Sequence, residues 1–261
     1  MMIREAVNPI NLISDLDRAS APIRRWGLHP RWMLVLLLSV PLAAMLFWWL
    51  GTRFFGSSLT LLEYQQLAVV IAGATVGGYQ LYFWVQRNAR HVPARCLVLP
   101  IDGRIGFRPR WIWSYSILYY AMIGLTVVSV RSPEDAINLL FGGLLVLSAG
   151  CLIFYFYPTH VPDSFRSFDI TSLSTRYLSF IQSMDSSRNA FPSMHCAIAT
   201  YVGLVLSAVP AVGPWLGYGF VSVTVVSCLF VKQHVVADTL GGIVLGFAVF
   251  HFNEWMSTAL A

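Results

Sequence analysis

Long apolar segments separated by short polar stretches are the main pattern of this chain. A transmembrane helix needs about 20 predominantly apolar residues, whereas the strands of a membrane barrel would appear as alternating segments of about ten residues. We therefore predict an all-α polytopic transmembrane bundle of six to seven spans. The candidate spans are residues 32–50, 66–85, 112–130, 136–157, 193–209, 215–231 and 235–253.

The polar N-terminal segment, residues 1–31, differs from the rest of the chain. It lacks the apolar core and the cleavage site of a signal peptide. Apolar positions at helical spacing near residues 10–16 fit an amphipathic helix on the membrane surface, and a solvated tail fits equally well. No internal repeat follows, so we expect residues 32–261 to form one membrane-embedded domain.

The composition also indicates a membrane protein. Of the 261 residues, 57% are hydrophobic and 11% are charged, whereas soluble domains carry about 25% charged residues. The net charge is +5, but the arginines flank apolar segments and no nucleic-acid recognition motif accompanies them. We expect anionic lipid headgroups, and no nucleic acid, as partners of these charges.

A polar cluster with the sequence Lys-Gln-His-Val-Val-Ala-Asp opens the last apolar segment at residues 232–238. Lys232 is the only lysine of the chain. His234 and Asp238 are four residues apart, so on a helix they share one face. A carboxylate there can fix one imidazole nitrogen and leave the other free as a nucleophile or base. The alternative is a structural histidine at a helix start, and this cluster alone does not decide.

A second polar cluster, Arg-Asn-Ala-Phe-Pro-Ser-Met-His, opens an earlier apolar segment at residues 188–195. Pro192 suits the first turn of a helix, and Ser193 or Asn189 can cap it. Helix N-termini attract phosphate because their N–H groups are unpaired and the dipole end is positive. His195 in the first turn can then protonate a leaving oxygen.

The two clusters are expected to meet at one membrane face. If the span that begins at Ser193 crosses the bilayer and the next one returns, both helix starts lie at the same end of the bundle. Charged and polar groups at such a depth are costly unless they are paired or line a polar cavity. Two histidines, a carboxylate, a hydroxyl and two cations (Arg188 and Lys232) together suit phosphoryl transfer.

These motifs resemble those of the type 2 phosphatidic acid phosphatase (PAP2) superfamily. Pro-Ser-Met-His at residues 192–195 resembles its Pro-Ser-x-His motif, and His234 to Asp238 resembles its His-x-x-x-Asp motif. Tyr-Pro-Thr-His-Val-Pro at residues 157–162 resembles an element of the branch related to inositol phosphorylceramide synthase. The resemblance begins near Phe154, and it implies that residues 32–261 are a PAP2-like catalytic domain.

The resemblance implies a mechanism through a phosphohistidine that requires no metal ion and no other cofactor. In that mechanism His234 is the nucleophile and Asp238 orients it. His195 protonates the leaving group and then activates the water or alcohol that resolves the intermediate. Ser193 and nearby backbone amides bind the phosphate oxygens, and such donors stabilise the charge of the transition state.

The chain departs from the family pattern in its cations. A Lys-x6-Arg-Pro motif is not visible before the Pro-Ser-x-His element, and Cys228 follows Ser227 where the family has a Ser-Arg pair. We therefore assign phosphate binding to Lys232, Arg188 and Arg176. This assignment is a hypothesis from proximity in sequence.

A further helix is predicted between the Tyr-Pro-Thr element at residues 157–162 and the Pro-Ser-x-His motif at residues 192–195. Its apolar residues recur at helical spacing: Leu173, Tyr177, Phe180, Ile181 and Met184. Such a helix suits the membrane interface. It can roof the site and admit a lipid from the side, or it can simply pack over the bundle.

The membrane face of the site stays open. The 87–110 loop is rich in arginine, and the positive-inside rule places it in the cytoplasm together with the catalytic face. Family members usually face the periplasm, the lumen or the exterior. We expect an integral protein of the bacterial inner membrane.

The sequence is consistent with three candidate functions. The first is a lipid-phosphate phosphatase, and the second is a lipid phosphotransferase that moves a phospho-headgroup to ceramide or diacylglycerol. A phospholipid, a polyprenyl phosphate or a sphingolipid suits either. The third, a transporter or non-enzymatic membrane protein, is weakened because no internal symmetry is visible.

Overall fold

The structure is an all-α bundle, as predicted. The computed structural model describes residues 30–89, 92–185 and 187–260, and within these ranges it contains no β-strand. The helices in these ranges are α1 (Pro30–Leu50), α2 (Leu61–Asn88), α3 (Tyr119–Val128), α4 (Pro133–Phe156), α5 (Leu173–Met184), α6 (Met194–Ser207), α7 (Pro214–Phe230) and α8 (Val236–Leu260).

Within the described ranges, four helical segments are long and apolar enough to cross a membrane, by length and composition. They are Leu61–Asn88, Pro109–Val128, Pro133–Phe156 and Val236–Ala259. The second of them contains α3 and the helical turns before it. Helices α6 and α7 are apolar but shorter. Each predicted span coincides with one helix or helical segment, whereas the prediction for residues 1–31 falls outside the described ranges except at its last two residues.

Helix α6 lies at the centre of the bundle, packed against α7 and α8 and also against α3 and α4. Two glycines of α8 allow its close approach to α6. A Cβ atom on Gly242 would lie 2.4 Å from the Ser193 carbonyl oxygen, and one on Gly246 would lie 2.3 Å from that of Ala197. Small residues let helix backbones touch. The first residues of α6 and α8 therefore lie side by side.

The break between α6 and α7 confirms the boundary predicted at residues 210–214. Gly213 has φ +76°, in the left-handed region that favours glycine. Pro214 follows as the first residue of α7, a position where its missing N–H costs nothing. The chain therefore reverses within a few residues, and α7 returns along α6.

The arginine-rich loop folds back over the end of the bundle that carries both polar clusters. The N–H of Arg95 donates to the Pro158 carbonyl at 3.0 Å, and the N–H of Arg108 donates to the Phe230 carbonyl at 2.9 Å. Phe230 is the last residue of α7. The loop and the candidate site thus lie at the same end of the molecule.

Helix α5 lies where the apolar spacing of the sequence predicted a helix. Ser172 caps its start by accepting the Thr175 N–H at 3.2 Å. Leu178 is fully buried, whereas Leu173 and Phe180 are exposed. The inner side packs on the bundle, and the outer side presents apolar surface.

Candidate active site

The starts of α6 and α8 are joined by a backbone hydrogen bond. The N–H of Ser193 donates to the carbonyl oxygen of Asp238 at 2.9 Å. The rings of His195 and His234 consequently lie with their centroids 6.4 Å apart. The predicted meeting of the two clusters is therefore present in the structure.

His234 lies in the turn between α7 and α8 and is 8% exposed. Its Nδ1 is 3.5 Å from Oδ2 of Asp238, which is an ion-pair distance longer than a good hydrogen bond. Burial disfavours the charged imidazole, but the Asp238 carboxylate outweighs burial, so the pKa of His234 is raised above its ordinary value. Nδ1 therefore faces the carboxylate, and Nε2 lies on the other side of the ring.

Asp238 has a second role in holding the turn. It is 1% exposed, and Oδ2 accepts the N–H of Val235 at 3.1 Å. The carboxylate therefore satisfies a donor at the start of α8, where N–H groups have no partner within the helix. One side chain thus both caps the start of the helix and lies within ion-pair distance of His234.

Ser193 is the residue that caps α6. Its Oγ accepts the N–H of Cys196 at 3.3 Å, and the residue is fully buried. Pro192 precedes this cap, so the expectation that it belongs to the first helical turn was wrong. Asn189, the alternative cap, instead donates from Nδ2 to the Tyr82 carbonyl at 3.0 Å.

Thr159 of the Tyr-Pro-Thr element supports the segment that leads to Ser193. It is fully buried, and its Oγ1 accepts the N–H of Phe191 at 2.6 Å. Its backbone lies between those of Arg95 and Asn189, with a bridge to each. The element thus braces the Pro-Ser-x-His segment from behind, a position that the sequence did not reveal.

Two tyrosines enclose the ring of His195. The ring of Tyr115 stacks on it at 4.1 Å between centroids, and that of Tyr119 lies at 4.7 Å. The Tyr115 hydroxyl is 3.2 Å from His195 Nδ1. Neither tyrosine was predicted from the sequence, since aromatic residues at span ends are also typical of membrane interfaces.

Lys232 is the cation closest in sequence to His234, and it is 8% exposed. Its Nζ donates to the Asp102 carbonyl at 2.9 Å and lies 4.4 Å from the centre of the Phe165 ring. Burial lowers the pKa of Lys232, partly offset by Asp102. The Lys232 ammonium is thus held by a backbone carbonyl and an aromatic ring, two residues before His234.

The two predicted arginines lie in different surroundings. Arg188 donates to the carbonyls of Ala89 at 3.3 Å and Val92 at 3.5 Å, and so ties the Pro-Ser-x-His segment to the end of α2. Arg176 is exposed on α5. Phosphate binding by either one stays a prediction.

Cys228 and Cys196 form a close, fully buried thiol pair. Their sulfur atoms are 3.9 Å apart, and both cysteines are free. The Cys228 carbonyl accepts the N–H groups of Gln233 at 3.1 Å and His234 at 3.4 Å. The position that carries an arginine in the resembled family therefore supplies a backbone anchor here, and no charge.

Asp102 of the arginine-rich loop is a further buried group that the sequence analysis missed. It is 2% exposed, and its Oδ1 accepts the N–H of Val236 at 2.8 Å. Farther along the same loop, the segment from Arg108 to Trp111 lines a cavity of about 270 Å³. Within the described ranges, no three His, Cys, Asp or Glu side chains are placed to hold a metal ion.

The comparison with protein families covers most of this site. A model of the PAP2 superfamily matches residues 106–252, more than half of the chain. Comparisons with curated proteins and with solved structures gave no significant match. The matched range contains both histidines and Asp238, and Asp102 lies outside it.

Proposed function

The chain belongs to the PAP2 superfamily, and we propose that it is a metal-independent phosphatase of membrane lipid phosphates. The observation that carries this proposal is the bond from Ser193 to Asp238, because it sets His195 and His234 6.4 Å apart. The substrate is a phospholipid, a polyprenyl phosphate or a sphingolipid phosphate. We also propose that residues 32–261 act as one catalytic domain.

In the first step, Nε2 of His234 attacks the phosphorus. The bond between phosphorus and the lipid oxygen breaks, and protonated His195 gives that oxygen its proton. A bound phosphate dianion favours the protonated form of His195. The carboxylate of Asp238 stabilises the positive charge on His234 as the new P–N bond forms. The products of this step are the lipid alcohol and a phosphohistidine.

In the second step, water resolves the phosphohistidine. His195, now neutral, accepts a proton from the water as its oxygen attacks the phosphorus. The P–N bond breaks, inorganic phosphate leaves, and both histidines return to their starting states. General acid and base catalysis of this kind contributes about 10²- to 10⁴-fold to a rate.

The proposed phosphate-binding groups are Ser193, Lys232, Arg188 and Arg176, together with the N-termini of α6 and α8. The Ser193 hydroxyl keeps its hydrogen for donation, since its oxygen is the acceptor in the helix cap. The helix N-termini add positive dipole ends. Lys232 has the strongest support, because it belongs to the turn of His234 and is shielded from solvent.

The exposed apolar side of α5 supports lateral entry of a lipid. Leu173 is 70% exposed and Phe180 is 48% exposed. Trp113 anchors the helix to the bundle by donating from Nε1 to the Ser174 hydroxyl at 3.1 Å. A helix of this kind suits the headgroup region, with its apolar side among lipid chains.

Transfer to a lipid alcohol is the second candidate, and the Tyr-Pro-Thr element favours it. That element resembles one in the branch related to inositol phosphorylceramide synthase, and here Thr159 braces the loop of His195. Transfer uses the same phosphohistidine, with ceramide or diacylglycerol replacing water.

The test is an assay of purified protein in detergent with excess EDTA and a panel of lipid phosphates. Wild type should release phosphate, or transfer it to an added lipid alcohol, and His234→Ala should do neither. His251→Ala is the control, because His251 is exposed on α8 against Phe247. Turnover that survives in His234→Ala would rule out the mechanism.

A further inference from the structure

Asp102 is a buried carboxylate that no step of the proposed reaction uses. Its Oδ2 accepts the N–H of Leu99 at 2.7 Å, and its own N–H donates to the Leu99 carbonyl at 3.0 Å. These two bonds close a turn inside the arginine-rich loop. Oδ1 is then directed out of the turn, toward α8.

The second carboxylate oxygen of Asp102 caps α8. Oδ1 accepts the N–H of Val236, the first residue of the helix, at 2.8 Å across a sequence separation of 134 residues. This N–H has no acceptor within the helix, and the positive end of the helix dipole favours a carboxylate there. Asp102 thus fixes the start of the helix that carries Asp238.

The backbone of Asp102 holds the other side of the same turn. Its carbonyl accepts from Lys232 Nζ at 2.9 Å. Lys232 has φ +57°, a conformation that is uncommon for residues other than glycine and needs support from its surroundings. His234 lies between Lys232 and Val236, the two residues that Asp102 holds.

We propose that Asp102 is a positioning residue for His234. The inference rests on the proposed role of His234 as the nucleophile. Asp102 acts through the turn, by fixing the backbone on both sides of the imidazole, and it does not contact the substrate. A displacement of about 1 Å at a reacting group lowers a rate about 100-fold. Loss of the carboxylate should therefore lower kcat and leave KM nearly unchanged.

The test compares Asp102→Ala with Asp102→Asn. Asparagine has a single acceptor oxygen, which can still accept the Val236 N–H while the bond from the Leu99 N–H is lost, so this variant should recover part of kcat. Asp102→Ala should lose about 10- to 100-fold in kcat, with KM changed less than about twofold. Asp135→Ala is the matched control, because the Asp135 carboxylate also accepts a backbone N–H, that of Arg131 at 3.1 Å, at the far end of α4. It should keep wild-type kcat.

Hydrogen exchange supplies a readout that needs no substrate. The backbone amides of residues 232–240 should exchange faster in Asp102→Ala than in wild type, at an intermediate rate in Asp102→Asn, and at the wild-type rate in Asp135→Ala. If Asp102→Ala does not fold, Asp102→Ser replaces it, since serine can hold the Leu99 turn but is too short to reach Val236.

Unchanged exchange and unchanged kcat in the alanine variant would overturn the inference. An asparagine variant whose kcat and exchange both match those of the alanine variant would also overturn it, because an oxygen that can accept the Val236 N–H would then have no effect. Wild-type protein inactive on every lipid phosphate would count against the proposed function, and hydrogen exchange would still decide whether Asp102 holds the turn.

Discussion

The backbone N–H of Ser193 and the backbone carbonyl of Asp238 are 2.9 Å apart from donor to acceptor, and this bond holds the starts of α6 and α8 together. Since it uses no side-chain atoms, the separation of the two histidines depends on how closely the helices pack. The glycines of α8 control that packing.

Gly242→Ala should lower both stability and activity. The added Cβ would lie 2.4 Å from the Ser193 carbonyl oxygen and 3.1 Å from the Ala197 nitrogen, which are backbone atoms that cannot move aside alone. Overpacking of this kind costs about 1–3 kcal/mol, and here it also pushes the two helix starts apart. Thermal unfolding and phosphate release measure the two effects.

The control for this variant is Gly219→Ala on α7. A Cβ at Gly219 meets nothing within 4 Å, and alanine favours a helix over glycine by up to about 1 kcal/mol. Its melting temperature should stay level or rise. If Gly242→Ala behaved in the same way as this control, close packing at Ser193 would not be what holds the site.

Asp238→Asn should change the pH profile as well as the rate. His234 must be neutral to attack phosphorus, so activity is lost as the pH falls through the pKa of His234. Asp238 raises that pKa, which places the midpoint of the acid limb above about 6.5 in wild type. Asparagine removes the charge, so the midpoint should move to lower pH while kcat falls about 10²- to 10⁴-fold.

The profile of kcat/KM against pH reports this group in the free enzyme. Glu254→Gln removes an exposed carboxylate farther along the same helix, and its acid limb should coincide with that of wild type. An acid limb at the same pH in Asp238→Asn and wild type would show that His234 is not the titrating group.

Lys232→Ala should lower kcat/KM about 100-fold, as expected for loss of one donor to the transition state in a water-poor site. Arg188→Ala should cost about tenfold, because its guanidinium also serves the carbonyls of Ala89 and Val92. Arg131→Ala, which removes an exposed arginine at the start of α4, serves as the control. Full activity in both Lys232→Ala and Arg188→Ala would refute the assignment of these two cations to phosphate binding.

Thr159→Val should destabilise the segment before His195. Valine has nearly the same shape but cannot accept the Phe191 N–H, and a buried donor without a partner costs about 1–3 kcal/mol. Thr126→Val is the matched control: that hydroxyl is equally buried but only donates to the Met122 carbonyl within α3. A melting temperature lowered equally in both variants would deny Thr159 any special role.

The sequence predicts the helices well because a membrane span requires a continuous apolar run, and such runs are visible without knowledge of tertiary contacts. The caps are nearly as visible, since Ser193 and the prolines around it are local signals. The prediction for Pro192 failed because either side of a helix start suits proline, and only the backbone decides which residue is the cap.

The surroundings of the two histidines were beyond the sequence pattern. Tyr115 reaches His195 from 80 residues away, and Asp102 reaches Val236 from 134 residues away. The spacing of hydrophobic residues along the chain gives no information about contacts between residues so far apart in sequence. Asp102 lies in a loop whose most visible sequence feature is its arginines. No motif around Asp102 indicates that this one carboxylate is buried.

Trapping of the phosphoryl-enzyme tests the central claim most directly. Protein incubated with a lipid phosphate labelled with ³²P, denatured in alkali and analysed by mass spectrometry should carry the label on His234. His234→Ala should carry none, and His195→Ala should carry little. A wild-type protein that turns over rapidly without forming the label, or a label that persists in His234→Ala, would contradict the phosphohistidine mechanism.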